Sequence, residues 1–215
     1  MKVTIHQPDL LPYSGFWFKM ATCERFVVAV HDQFQKHGYQ RRVTMRGTWV
    51  SHQLVGKPAL VPINTIAVQP GWQGRLIDAI RGRYAGARHW SARGPELCDL
   101  IAGCTGSRLD EVNLALIEMI RDLLGITTEL VITEPPQGKG IERLIEQVTM
   151  VGGTEYLSGA GGAAYLGEDA GERFAAAGIV LSWSDHRHST GDSIVSVLMD
   201  HEDPMADVLT RHAPA

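Results

Sequence analysis

The chain opens on Val3-Thr4-Ile5, turns polar at His6-Gln7, and passes through Pro8-Asp9-Leu10-Leu11-Pro12 before Phe16, Lys19 and Met20 recur at helical spacing. That pattern predicts a strand, a turn stiffened by two prolines, and a helix. Arg25-Phe26-Val27-Val28-Ala29-Val30-His31-Asp32 is then a nearly continuous β-branched and aromatic run, as expected of a strand buried on both faces of a parallel or mixed sheet. Both strands of this β-α-β unit end in polar residues, His6-Gln7 and His31-Asp32-Gln33. Parallel neighbours put those ends at one sheet edge, the edge at which open α/β sheets bind ligands.

Lys36, His37, Arg41, Arg42 and Arg46 interleave with Tyr39, Val43 and Met45 up to Gly47-Thr48. With Trp49 to Val55 this reads as a basic hairpin, either an anion clamp or a solvated alternating strand. Val61-Pro62-Ile63 and Ile66-Ala67-Val68 extend further. Helices are expected over Gly71 to Tyr84, over Pro95 to Ala102, and from a Ser107 cap along the stripe Val112, Leu116, Met119, Ile120, Leu123 and Leu124, closed by Gly125. The last third alternates strands at Glu129 to Thr133, Glu155 to Leu157 and Ile179 to Trp183 with helices at Ile141 to Val151 and Glu172 to Ala177. A final helix, Ser193 to Met199, precedes a tail beyond Pro204 expected to be loosely held. The fold class is α/β: a single domain over residues 1–215 with a mixed, largely parallel sheet flanked by helices, plus a helical middle segment.

Composition narrows the setting. Hydrophobic residues make up 44% and charged residues 20%, no apolar run is long enough for a membrane span, and residues 1–9 show no basic region followed by an apolar core, so export is not expected. A net charge of -4 gives no general attraction to nucleic acid or anionic lipid. Cys23, Cys98 and Cys104 are odd in number and lack metal-ligand spacing, so reduced thiols and a cytoplasmic protein are expected.

Two further stretches carry candidate chemistry. Ser158-Gly159-Ala160-Gly161-Gly162 separates a strand from Ala163-Ala164-Tyr165-Leu166, and reads either as an anion-binding turn at a helix amino terminus or as a plain tight turn. Asp185, His186 and His188 follow the strand ending at Trp183, where they would share an edge with His6 and His31. No serine has a nucleophile-elbow setting, and Cys23 has no base nearby in sequence.

Ile5-His6-Gln7-Pro8-Asp9-Leu10-Leu11-Pro12-Tyr13-Ser14-Gly15-Phe16-Trp17-Phe18-Lys19, followed by Arg25-Phe26-Val27 and Asp32-Gln33-Phe34-Gln35-Lys36, resembles the opening of the WbqC-like family. Thr154-Glu155-Tyr156-Leu157-Ser158-Gly159 and Ser193-Ile194 with Val197-Leu198 resemble its carboxyl-terminal marks. The chain departs at Gln40-Arg41-Arg42, at His188-Ser189-Thr190 and at Ser196, which bears on the substrate. The resemblance implies a role in O-antigen or natural-product biosynthesis, with aminoacyl transfer to an amino group, and supports His6, Gln7, Tyr13, Gly15, Lys19, Asp32, Gln33, Ser158 and Gly159 as site-forming.

The leading expectation is therefore acyl or aminoacyl transfer onto an amine of a sugar or natural-product intermediate. His6 is the expected base, tuned by Asp32, with Gln7 and the Ser158-Gly159 turn as oxyanion donors. Tyr13, Lys19, Gln33, Arg41 and His186 would bind substrate, Lys19 and Arg41 holding an acidic part of the donor. No cofactor or metal is expected on this reading. The partners are a small-molecule substrate and an acyl- or aminoacyl-carrier protein, without nucleic acid, and a homodimer is left open. Two alternatives stand beside it: a metal-dependent hydrolase or cyclase using His6, His31, Asp32, His186 and His188, and a non-catalytic accessory protein that meets a carrier through Lys36 to Arg46.

Overall fold

The computed structural model describes residues 1–162, 166–187 and 190–212. Five strands, β1 (Lys2–His6), β2 (Arg25–Val28), β5 (Glu129–Val131), β6 (Glu155–Ser158) and β7 (Val180–Trp183), form one sheet in the order β5-β2-β1-β6-β7. Every pairing in it is parallel. Antiparallel pairing between named strands is confined to a separate hairpin, β3 (Arg42–Met45) with β4 (Thr48–Ser51). Its two-residue turn has positive φ at both Arg46 (53°) and Gly47 (68°), the backbone that matches the right-handed twist of paired strands.

Strand alternation sends apolar side chains to both faces. Val3, Ile5 and Val27 join Tyr156 under α5 (Ile141–Met150) and α6 (Ala170–Ala176), while Phe26 and Val28 join the larger core of α1 (Ser14–Thr22), α2 (Trp72–Tyr84), α4 (Leu109–Leu123), α7 (Ile194–Asp200) and the hairpin. This double burial is why the second strand reads as continuously apolar. The sheet begins β1, β2 on one side and resumes with β6 on the other, so its order reverses between β1 and β6. All five carboxyl ends lie at one edge, and the reversal there leaves a crevice beside His6 and Ser158.

Three local expectations are corrected. The helix placed at Pro95 begins earlier, as α3 (Trp90–Gly103), with Pro95 inside it; the exposed Ser91 carbonyl, four residues back, can turn to water in place of the missing N–H. Arg108, not Ser107, occupies the cap position of α4, where the Glu111 carboxylate accepts from the backbone N–H groups of Arg108 and Ser107 at 3.0 and 3.2 Å. The tail forms a further helix, α8 (Pro204–Val208), capped by Asp203, whose side chain accepts from the N–H groups of Met205 and Ala206.

Candidate active site

The segment after β1 builds the floor of the crevice. Pro12 accepts from Trp17 Nε1 at 2.9 Å and from the Ile194 N–H, and Leu11 takes φ 40° with its carbonyl held by Ser193 Oγ at 2.8 Å. His6 emerges with Nδ1 3.0 Å from the Gln7 carbonyl and its ring edge-on to Phe16. A carbonyl only accepts, so Nδ1 carries the proton and Nε2 keeps its lone pair. Burial, reinforced by the Lys19 ammonium and opposed by the Gln7 hydrogen bond, holds the imidazole down to about 3. It is neutral throughout the physiological range.

Asp9 and Lys19 flank it, each only 6% exposed. Asp9 Oδ2 stands 3.6 Å from His6 Nδ1. Burial pushes this carboxyl up to about 7 against the pull of Lys19, and draws the Lys19 ammonium down to about 8 against the pull of Asp9. Among the described residues no carboxylate reaches ion-pairing distance of Lys19; a Cβ placed on Gly159 would lie 3.8 Å from its Nζ. The structure thus brings His6, Lys19 and Gly159 together at the strand reversal, with Asp9 added to them.

Asp32 does not reach His6. Its carboxylate is held by Arg143 of α5 and by Gln7 Nε2 at 2.9 Å, so it acts on Gln7 and Arg143 instead of tuning the imidazole. Burial raises its pKa, outweighing Arg143 and Gln7. Gln40 donates to Gln7 Oε1, and Asn113, fully buried, donates to the carbonyls of Pro8 (2.7 Å) and Gln40 (2.6 Å). With both amide hydrogens of Asn113 committed, its Oδ1 must accept from His52 Nε2 at 3.2 Å. This chain of bonds fixes the Gln7 side chain from below.

Two adjoining cavities share Asp32, Arg143 and Leu144: an inner one of about 330 Å³, walled also by Ile5, His6, Gln7 and Tyr156, and an outer one of about 610 Å³, reaching His31, Gln33 and Lys139.

Other expected residues lie elsewhere. The Ser158 hydroxyl, expected as an oxyanion donor, is fully buried against Gly162 and donates to the Gly159 carbonyl at 3.3 Å, so its proton is committed to its own turn, and the residue lines neither cavity. Tyr13 packs on Gly15, and burial, then Asp9 and Tyr39, raises its pKa. Arg41 sits at the base of the hairpin with its carbonyl accepting from the His52 N–H at 2.7 Å, and lines neither cavity. His186 stands on the far side of α1, with Nε2 3.0 Å from Ser14 Oγ, Nδ1 3.0 Å from the Thr210 carbonyl, and its ring stacked on Phe18. His31 Nδ1 meets the Asn64 amide at 3.1 Å. These histidines do not converge, and among the described residues no group of three or more His, Cys, Asp or Glu is placed to hold a metal. His188 and the predicted helix start at Ala163-Ala164-Tyr165 lie outside the described residues.

Sequence reasoning gave no role to Arg143 or Asn113, and met Gln40 only as a departure from the family pattern. Arg143 had a signal, because a cation in the first turn after the Gly138-Lys139-Gly140 loop belongs to the same carboxyl edge as His6. Gln40 and Asn113 had none; their roles depend on long-range packing.

No helix among the described residues is long and apolar enough to cross a membrane. No solved structure matches the chain. An uncharacterized protein of Mycobacterium tuberculosis (strain ATCC 25618 / H37Rv), Rv1507c, is 24% identical over 194 residues, covering 86% of this chain and 82% of its own. Residues 7–191, from Gln7 of the opening motif past β7, match the sequence profile of the WbqC-like protein family, and the chain belongs to that family.

Proposed function

We propose that the protein is a small biosynthetic enzyme that transfers an acyl or aminoacyl group to an amine of a sugar or natural-product intermediate, forming an amide. The observation that carries this reading is the neutral His6, with Nε2 unprotonated, at the wall of a cavity that also presents Gln7 and the Arg143 guanidinium. Forming an amide from an amine requires a group that takes a proton as the nitrogen attacks; His6 Nε2 fills that role and returns the proton to the donor's departing group as the bond between that group and the acyl carbon breaks. Its burial keeps the base free without prior deprotonation, and negative charge developing on the attacked carbonyl strengthens it in the transition state. Gln7 is oriented by Asp32 and Gln40. The Gln7 amide and Arg143 face the developing oxyanion or an acidic part of the donor. Lys19 at Gly159 adds a second cation on the β6 side. The donor is a small molecule or arrives on a carrier protein, and the reduced cysteines fit a cytoplasmic setting.

The test is incubation of purified protein with activated acyl and aminoacyl donors and a panel of amino sugars, with the amide detected by mass spectrometry. His6→Ala is expected to lower turnover at least a hundredfold with an unchanged circular dichroism spectrum. Undiminished turnover in that variant would remove His6 from the chemistry.

A further inference from the structure

A third cavity, about 220 Å³, lies away from the sheet edge between β4 and α2, lined by Trp49, His52, Trp72, Arg75 and Arg83 among others, with no acidic residue in its wall. The surrounding sequence is one-sided in charge. From Gln33 to Ile77 the chain carries Lys36, Arg41, Arg42, Arg46, Lys57 and Arg75 but no Asp or Glu, leaving 14 Lys and Arg against 24 Asp and Glu elsewhere. The overall charge of -4 therefore averages an acidic remainder with a basic segment, whose carboxylate contacts among the described residues are Asp200 and Asp192 at the hairpin tip, on Arg46 and the Gly47 N–H, and a ligand meets the local charge, not the average.

Two of these cations are committed to the fold through two bonds each, Arg46 to Asp200 at 2.6 and 2.7 Å and Arg75 to the Gln69 and Pro70 carbonyls, and Arg42 is anchored through one, from Nη2 to the His37 carbonyl at 2.7 Å. Lys36, Arg41, Arg42, Lys57 and Arg83 make no ion pair among the described residues. The Nε–H groups of Arg41, Arg42 and Arg83 are buried without a hydrogen-bond acceptor among the described residues, so no carboxylate there holds these nitrogens. Aromatic surface stands beside them. Tyr39 and Trp49 are 49% and 46% exposed, their ring centres 6.0 Å apart, and the Arg42 guanidinium lies 4.1 Å from the Trp49 centre.

We propose that this face binds single-stranded nucleic acid, with Trp49 and Tyr39 stacking bases and the arginines meeting phosphates. Exposed rings flanked by guanidinium groups are what successive bases and a phosphate backbone require together. An acidic protein surface would satisfy the cations but leave the exposed aromatic pair unused. The cavity lies below the ~300–1,000 Å³ of ordinary small-molecule clefts, a size suited to one base. The face adjoins the candidate active site through His52, Asn113 and Gln40, which connect β4 to Gln7. A strand held there would end near the cleft, but the inference stands apart from the transfer chemistry, because binding is measured without turnover.

The experiment is fluorescence anisotropy of labelled single-stranded RNA and DNA oligonucleotides titrated with the purified full chain at two salt concentrations. The expected result is binding that weakens with salt, a loss of roughly tenfold or more for Trp49→Ala and for Tyr39→Ala, and a shallower salt dependence for Arg42→Gln, by about 0.7 of a log unit per tenfold in salt for one lost phosphate contact. Both rings are exposed, and Trp49→Phe retains a stacking surface, so its partial recovery separates stacking from misfolding. RNA exceeding DNA, or the reverse, identifies which strand is used and supports the proposal either way. Absence of binding at low salt, wild-type affinity in both aromatic variants, or competition by polyglutamate as strong as by unlabelled oligonucleotide overturns it, the last assigning the face to an acidic protein.

Discussion

Burial acts on individual side chains at the β1–β6 crevice in opposite directions for acids and bases. Asp9 folds with a pKa near 7 against an ordinary 3.8. Its raised value means the folded state holds the proton more tightly, so the carboxyl costs no stability below the unfolded pKa and destabilises progressively as pH rises through 7. His6 and His52, lowered to about 3 and about 4, work the other way, losing stability as pH falls from about 6.5 toward those values. Asp9→Asn should therefore raise the melting temperature relative to the wild type by several degrees more at pH 8 than at pH 5, at ~2–4 °C per kcal/mol for a chain of this size. Thermal scans at the two pH values check it, and an equal shift at both would mean that Asp9 is already ionised at pH 5. Asn113 makes a second residue-scale case. Asn113→Leu strands the Pro8 and Gln40 carbonyls and the His52 N–H, which predicts a loss of roughly 2–4 kcal/mol in urea unfolding.

Between elements, the candidate site depends on how the opening segment is pinned. Ser193 serves two ends at once: its hydroxyl accepts from the Val195 N–H at 3.3 Å, capping α7, and donates to the Leu11 carbonyl at 2.8 Å, holding the turn that presents His6. Ser193→Ala should cost about 1–2 kcal/mol and, on the proposed chemistry, lower turnover beyond what its stability loss explains. Hydrogen exchange of the Leu10–Tyr13 amides, faster in the variant, would report the loosened turn. The same pinning shows what could be read in advance. Strand, turn and helix at the amino end follow from local pattern, as do α4, α5 and the hairpin, because periodicity and turn residues are properties of neighbouring positions. That Asp32 pairs with Arg143 and not His6, and that His186 faces Ser14 and Thr210, depends on which side of α1 each loop descends. Strand β2 stops at Val28, short of the expected Asp32, yet Asp32 and His186 both lie in loops that leave strands at one edge, so the edge was legible, whereas the partners on it were not.

For the molecule as a whole, the tail closes what the sheet leaves open. Beyond α7 its polar sequence, His201-Glu202-Asp203-Pro204, reads as a chain end, yet Val208 is fully buried in the larger core. Arg187 and His212 donate backbone N–H groups to the carbonyls of Thr210 and Asp185 at 3.0 and 2.9 Å, and the Arg211 guanidinium lies 5.0 Å from the Phe18 ring centre. The tail therefore covers the face of α1 opposite His6 and supplies the acceptor for His186 Nδ1. Deleting residues 204–215 would expose Phe18 and the His186 ring and remove a buried valine, itself about 1.5–3 kcal/mol of apolar burial. The expected outcome is a truncated chain at least ~2 kcal/mol less stable in denaturant, with its unfolding slope reduced because less surface is buried in the native state. Since α1 carries Lys19, the truncation should also loosen the crevice, read as faster hydrogen exchange along Ser14–Thr22 than along β2. Unchanged stability with unchanged protection of α1 would show that the tail rests on the helix without supporting it.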